Sequence, residues 1–253
     1  MKHAQELRII PLQFEKEIQP GDSLVREVVS ALRRTKTAFR PCDILVVKHK
    51  IVSKLEGQIV DLAKIEPSRS SQKWAQQYGL DARVIELALT QGRRIVRRKC
   101  GVLITETRHG FVCANSGVDV SNVDGGRHAL LLPDNPDRSA ARLHRDLKKH
   151  LNLLIPVIIT DTFGRPWREG LTEVAIGIAG MKALHDYRGC RDPHGYPLRA
   201  SVDAVADQLA CAAGLVCGKL NRVPACIIRG FAYEPGRGTA RDLIRPARTD
   251  LFR

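Results

Sequence analysis

The sequence predicts a mixed α/β protein outside the Rossmann and P-loop classes, and three observations carry that expectation. Short apolar runs rich in β-branched residues, such as Ile44-Leu45-Val46-Val47 and Ile155-Pro156-Val157-Ile158-Ile159, have the length of buried strands. Stretches between such runs carry apolar residues at helical spacing, as Leu24, Val28, Val29 and Leu32 do. Neither Gly-x-Gly-x-x-Gly nor Gly-x-x-x-x-Gly-Lys followed by Ser or Thr occurs, and no βαβ unit of about thirty residues repeats.

The totals narrow the classes of function. At 253 residues the chain has room for one large domain or two modest ones, and 43% hydrophobic residues suffices for a real core. No apolar run approaches the ~20 residues of a membrane helix. Met1 to Arg8 lacks the apolar core of a secretory signal, and the seven cysteines are scattered without a Cys-x-x-Cys pair. The expectation is therefore a cytoplasmic protein with reduced thiols, and neither a disulfide framework nor a zinc site. A net charge of +14, from 41 Lys and Arg against 27 Asp and Glu, points to acidic partners: nucleotides, polyanionic metabolites or nucleic acid. Nucleic acid is the least expected of these. Aromatic residues are 5% of the chain, so stacking platforms are few, and no zinc-finger spacing or RNA signature accompanies the basic run Arg93-Arg94-Ile95-Val96-Arg97-Arg98-Lys99. That run reads as solvated surface.

Taken in order, residues 8–12 read as a first strand, and Gly21-Asp22-Ser23 as a turn that caps a helix over 25–32. Pro41-Cys42-Asp43 breaks the chain ahead of the strand at 44–47, and Lys48 to Gly57 reads as a polar turn at that strand's exit. Glu66-Pro67-Ser68 opens a helical region that holds Trp74 and residues 81–89. Strands are expected at 101–105 and 110–114, paired through the Arg108-His109-Gly110 turn. Residues 130–132 read as a strand, followed by a proline turn and a helix over about 140–150. Val174 to Gly180 reads as a strand whose glycines permit close approach of another backbone. Residues 186–197 form a long polar loop, 202–216 a helix with a small-residue face, 218–222 a short loop, 225–230 a strand, and 242 onward a tail.

Three stretches bear chemistry. Thr160-Asp161-Thr162-Phe163-Gly164-Arg165-Pro166-Trp167-Arg168 is expected beyond the end of a buried strand, with Gly164 letting the backbone turn, where α/β proteins place ligands. Asp161 with Thr162 is a hard-oxygen pair suited to Mg²⁺ or Mn²⁺, and Arg165 and Arg168 suit phosphate or carboxylate. The same residues also fit an N-capped turn with solvated arginines. Asn115-Ser116-Gly117-Val118-Asp119-Val120-Ser121-Asn122 is the second stretch. Its Asp119 is another hard-oxygen donor at a strand exit, and convergence with Asp161 on one ion would give a metal able to bridge nucleotide phosphates. These are ordinary turn formers too. In the third stretch Lys48, Lys50 and Lys54 either hold phosphates as point charges or lie in a solvated turn. No His-Glu-x-x-His helix and no Gly-x-Ser-x-Gly elbow is present.

Several blocks in fixed order share the pattern of one family. They begin with Gly21-Asp22-Ser23-Leu24, then Asp43 to Val47 with Ile51-Val52-Ser53-Lys54 and Glu56-Gly57. Asn115 to Asp119 with Ser121-Asn122 follows, then Leu132-Pro133, Asp137 and Ser139-Ala140. The rest are Asp161 to Pro166 with Arg168, Val174 to Gly177, Val205-Ala206-Asp207 and Arg229-Gly230. In these blocks the chain resembles the coenzyme F420-0:L-glutamate ligases, the γ-glutamyl ligases that extend the tail of a deazaflavin cofactor. The resemblance covers nearly the whole chain. It implies one ligase-type domain over 1–253, in one or two sub-domains, without the nitroreductase-like domain fused to some bacterial relatives. It further implies the family's own two-part α/β fold and an intertwined homodimer with the nucleotide site near the interface. The implied reaction is GTP-dependent amide formation: an acidic acceptor becomes an acyl-phosphate, L-glutamate displaces the phosphate, and GDP is left. On the matching positions, Asp119, Asp161 and Thr162 would hold Mg²⁺ or Mn²⁺, and Asn122 and Lys54 would contact GTP. Lys50 and the Gly218-Lys219 loop would lie near the nucleotide, and Arg165 and Arg168 are assigned to phosphate or substrate carboxylate by their charge. Assistance by K⁺ and the number of glutamates added are left open.

The chain also departs from that pattern. Leu171 and Glu173 stand where Gln and Asn are common, and Gln208 and Gly214 where acidic residues are. Lys219 stands where at least one relative places a glutamate near the metal, and an acidic pair near the end is reduced to Thr249-Asp250. These departures bear on the acceptor more than on nucleotide use. A folate-like or other carboxylate-bearing cofactor is thus an alternative acceptor, and a nucleotide- or RNA-binding protein that kept the fold without the chemistry is a third reading.

Overall fold

The computed structural model describes residues 6–121 and 123–251, and its strands and helices assemble around a five-stranded sheet. Strand β1 (Arg8–Leu12) leads to α1 (Leu24–Arg34), whose first turn is capped by the Ser23 hydroxyl accepting from the Arg26 amide. β2 (Ile44–Lys48) runs straight into α2 (His49–Leu55), so the lysine-rich stretch expected as a polar turn is a helix. The reason is tertiary: Ile51, Val52 and Leu55 share a face that packs on the main core, and that burial outweighs the polar composition. After β3 (Ile59–Asp61) come α3 (Arg69–Tyr78), capped by Ser68, and α4 (Ala82–Gln91), capped by Asp81.

The basic run is carried on a strand, with its arginines on the solvated surface as expected. It forms β4 (Gly92–Lys99), the edge of an antiparallel sheet with β5 (Val102–Thr107) and β6 (Val112–Ala114). Arg94 Nε is 2.8 Å from Glu106 Oε2, and Arg98 lies 4.0 Å over the Trp74 ring, while the arginines themselves stay exposed. β7 (His128–Leu130) pairs with β3, which leaves Leu131 and Leu132 beyond the strand. α5 (Pro136–Leu151) begins before the expected residue 140 because Asn135 caps it and Pro136 takes the first position.

β8 (Val157–Arg165) and β9 (Arg168–Ala179) form a long hairpin. Here the structure corrects the sequence reading twice. Thr160 to Gly164 lie inside a strand and not beyond its end, and the chain turns at Pro166-Trp167, with Trp167 left-handed at φ 55°, not at Gly164. β10 (His185–Asp186) and β11 (Val202–Asp203) pair across the polar loop, so α6 (Val205–Cys217) starts at Val205 rather than 202. β12 (Ala225–Arg229) completes the main sheet.

The main sheet has the order β1-β12-β2-β8-β9, with β2 and β8 parallel and the other neighbours antiparallel. Its two faces are both buried. Leu45, Val47, Val157, Ile159 and Ile227 pack with α1 and α5, whereas Ile44, Val46, Ile158, Cys226 and Ile228 pack under α6. This is the alternation expected of strands covered on both sides. A third core gathers Trp74, Ile85, Ala88, Leu103 and Leu131 around α3 and α4.

Two close contacts hold α5 on this sheet. A Cβ at Gly177 would stand 2.4 Å from the Pro136 carbonyl oxygen, which is the close backbone approach expected from the glycines of this strand. Asp137 Oδ1 accepts from the Ile178 amide at 2.9 Å and the Ala240 amide at 3.0 Å. Gly177→Ala should therefore lower stability by about 1–3 kcal/mol, read by denaturant unfolding. Burial raises the Asp137 carboxyl above its ordinary 3.8. Between that value and the raised one the native state binds more protons than the unfolded state, so stability falls as pH rises through the window. Asp137→Asn keeps an oxygen acceptor and removes this loss. It should be at least as stable as the parent at pH 7, with the advantage vanishing by about pH 3, where both states carry the proton, as unfolding at the two pH values would show.

Candidate active site

The parallel strands β2 and β8 end their pairing at Lys48 beside Thr160, and the polar residues collect just past that point. His49, in the first turn of α2, is 2% exposed, and its Nε2 lies 3.2 Å from Asp161 Oδ1. The approach is not aligned as a hydrogen bond, so this ring nitrogen is buried without a hydrogen-bond partner. The Asp161 carboxylate is held in place by the Thr162 amide, which donates to Oδ1 at 2.6 Å. Nearby, burial pushes the Cys113 thiol up to about 12, and the Asp161 charge adds to the rise, so Cys113 is an inert neutral group at physiological pH.

The next residue of α2 reaches the second aspartate. Lys50 Nζ is 2.7 Å from Asp119 Oδ2 and also donates to Ser121 Oγ at 2.7 Å. Burial would raise the Asp119 carboxyl, but Lys50 and Ser121 outweigh it and hold the group below its ordinary range. The loop that carries Asp119 is shaped by Asn115, Ser116 and Gly117, three successive residues with φ of 50°, 54° and 72°. Ser116 is structural: its buried hydroxyl donates to the Ala88 carbonyl at 2.6 Å and lies 2.7 Å from Thr105 Oγ1. His49 and Lys50 thus bring the two separately predicted aspartates to one helical turn.

The opposite face of β8 carries a different cluster. Side chains alternate along a strand, so Asp161 faces α2 while Thr162 faces α6. Thr162 Oγ1 donates to Glu173 Oε1 at 2.7 Å and accepts from Lys219 Nζ at 2.5 Å. Lys48 Nζ is 2.5 Å from the same Glu173 oxygen. The side chains of Asp161 and Thr162 are therefore not a ready-made clamp for one ion, although they are adjacent in sequence.

The remaining sequence-predicted residues fall in three places. Lys54 is 9% exposed, and its ammonium pairs with the Glu17 carboxylate. Gly218 ends α6 at φ 57° and leads into Lys219. Arg165 and Arg168 pair at the exposed tip of the hairpin, where an Arg165 guanidinium nitrogen donates to the Glu169 carbonyl at 2.8 Å, and the structure does not bring them against Asp119 or Asp161. Asn122 lies outside the described residues. Sequence reasoning missed His49 and took Glu173 only as a departure from the family pattern. The histidine is one position past a buried strand and starts the helix that was not expected. Glu173 directly precedes the apolar strand it extends.

The donor set suits a hard divalent cation of the Mg²⁺ type. Among the described residues no three His, Cys, Asp or Glu side chains gather as a complete metal cage. Mg²⁺ in phosphate sites is commonly bound by one or two carboxylates with the remaining positions filled by water and substrate phosphate, and Asp119 and Asp161 supply that number. Lys50 adds a cation beside Asp119, while Lys48 and Lys219 lie with Glu173 on the other face of β8.

A family-wide sequence profile described as F420-0:Gamma-glutamyl ligase matches residues 15–230. The coenzyme F420:L-glutamate ligase of Methanopyrus kandleri is 42% identical over 252 residues, covering 98% of each chain. Relatives of the same description from Methanothermobacter thermautotrophicus and Methanocaldococcus jannaschii are each 42% identical, over 92% and 83% of this chain and 93% and 84% of their own. None of the described helices is long and apolar enough to cross a membrane.

Proposed function

The chain belongs to the F420-0:γ-glutamyl ligase family, and from that premise we propose that it joins L-glutamate in amide linkage to coenzyme F420-0 at the expense of GTP. One observation carries the reading: Asp119 and Asp161 both approach the first turn of α2, just past the last parallel pair of β2 and β8. In the proposed reaction the acceptor carboxylate attacks the γ-phosphorus, the bond to the β-phosphate oxygen breaks, and GDP leaves. The amine of L-glutamate then attacks the acyl carbon, gives up a proton, and expels inorganic phosphate.

Asp119 and Asp161 would hold the divalent cation, Mg²⁺ or Mn²⁺, which when bound neutralises triphosphate charge. Lys50, beside Asp119, and Lys54, one turn further along the same helix, would contact the phosphates of GTP. Lys219 and Thr162 supply a cation and a hydroxyl from the other face of β8. The hairpin-tip arginines, Arg165 and Arg168, are exposed and would meet the acceptor's carboxylates. A homodimer belongs to the reading. Trp167 at 80% exposure and Leu171 at 65% on the hairpin, with Leu215 at 85% and Leu220 at 89% around the end of α6, are large apolar groups that support a partner surface there. A biosynthetic role in the cytoplasm accords with it.

The direct test is incubation with GTP, Mn²⁺, L-glutamate and F420-0, with mass detection of the glutamylated product. GDP release with a different carboxylate acceptor, and none with F420-0, would move the acceptor. Absence of nucleotide turnover with every acceptor would remove the ligase reading. Asp119→Asn and Asp161→Asn should each keep the thermal midpoint within a few degrees, weaken Mn²⁺ binding measured by electron paramagnetic resonance, and cut turnover by about a hundredfold or more. Full activity in both variants would refute the metal assignment. Lys54→Ala should raise the Kd for GTP by about tenfold, and an unchanged affinity would put Lys54 outside the site.

A further inference from the structure

Glu173 is 6% exposed and sits opposite Thr162 in the β8–β9 hairpin. Its Oε1 gathers Lys48 Nζ at 2.5 Å and the Thr162 hydroxyl at 2.7 Å, with Lys219 Nζ at 3.9 Å. Its Oε2 is buried with no hydrogen-bond partner. Space for this side chain comes from α6: a Cβ at Gly214 would stand 2.6 Å from Glu173 Cγ. The Cys211 thiol, on the same helix, donates to the Glu173 carbonyl at 3.1 Å.

A buried carboxylate of this kind is a weak device for stability, because its desolvation offsets most of the attraction to its partners. An apolar residue at 173 would join α6 to the hairpin as well. Packing also gives no reason for the cluster to extend to Lys219, whose side chain is 61% exposed. What the carboxylate does achieve is aim. It fixes one ammonium and one hydroxyl, and through the hydroxyl a second ammonium, just past the last parallel pair of β2 and β8.

We propose that Glu173 is a positioning residue of the ligase site, fixing Lys48, Thr162 and Lys219 toward the phosphoryl group in transfer, and that Gly214 is a glycine in order to admit it. The inference rests on the ligase reading. Cations held in advance stabilise the charge of the transition state without reorganising, which is worth more to turnover than to ground-state binding. Glu173→Gln keeps the shape, removes one negative charge and leaves the lysines unaimed. The local potential becomes more positive, so nucleotide affinity is not lost, while turnover is.

The experiment compares wild type, Glu173→Gln, Glu173→Asp and Gly214→Ala as full-length proteins. It reads affinity for a fluorescent GTP analogue, kcat for glutamylation of F420-0, and the thermal midpoint without ligand. Glu173→Gln and Gly214→Ala are expected to lower kcat by about tenfold or more, with Kd within about threefold of wild type or tighter. Glu173→Asp should recover part of the loss. Two results overturn the proposal: an unchanged kcat in Glu173→Gln, or kcat, affinity and thermal midpoint all deteriorating together in both variants, which is the mark of a packing role. A wild type that neither binds nor turns over the nucleotide removes the ligase reading itself, and is distinct from an active wild type indifferent to Glu173→Gln.

Discussion

Parallel pairing of β2 with β8 is the constraint on which the rest of the structure depends. Its register sets Leu45 beside Val157 and Lys48 beside Thr160, where β2 ends while β8 runs on to Arg165. The first residues past that last parallel pair are His49 and Asp161, which is why they meet. A slip of one residue would exchange the faces of every side chain on the slipped strand. Asp161 would then face α6, and Thr162 would face α2. The apolar residues that alternate between the two cores exclude the slip, so the hydrophobic pattern of the strands is also what orients the chemistry.

β2 is also anchored by charge at both of its ends. Just before it, Asp43 is wholly buried and takes a bidentate approach from Arg229 at 2.8 Å and 2.7 Å, and the Arg229 guanidinium donates as well to the Ala38 carbonyl. At its last residue Lys48 meets Glu173. Buried pairs of this kind add little net stability over apolar replacements, yet removing one partner leaves an uncompensated charge at a cost of about 3–5 kcal/mol. Their effect here is specification: the strand has one register in which all four charges are paired. The site is thereby attached to a rigid element and not to a loop.

Much of this was legible in the chain. The apolar runs marked β1, β2, β8 and β12, the Ser23 cap marked α1, and the carboxylates Asp119 and Asp161 stood out by type and position. The helical nature of His49 to Leu55 was hidden by its lysines, since its burial depends on a core assembled from distant segments. The partner of Thr162 was hidden by irregular pairing. The tight Pro166-Trp167 turn by itself would set Thr162 opposite Leu171. Between Gly164 and Arg165 the ladder takes in the extra residues Glu169 and Gly170, the latter at φ 83°, and Glu173 moves into that place.

By itself the sequence determined the class of protein, the strand and helix content around the site, and the residue types on which metal and phosphate chemistry can be built. Those properties follow from local periodicity and from side-chain chemistry, which need no partner to be read. Only the tertiary structure decided that His49 and Lys50 tie Asp161 to Asp119, and that Asp161 and Thr162, adjacent in the chain, serve opposite faces of one strand. It also decided that Gly214 makes room for Glu173. The reason is that each of these is a contact between distant segments, set by strand register and helix packing, and neither is expressed at any single position of the chain.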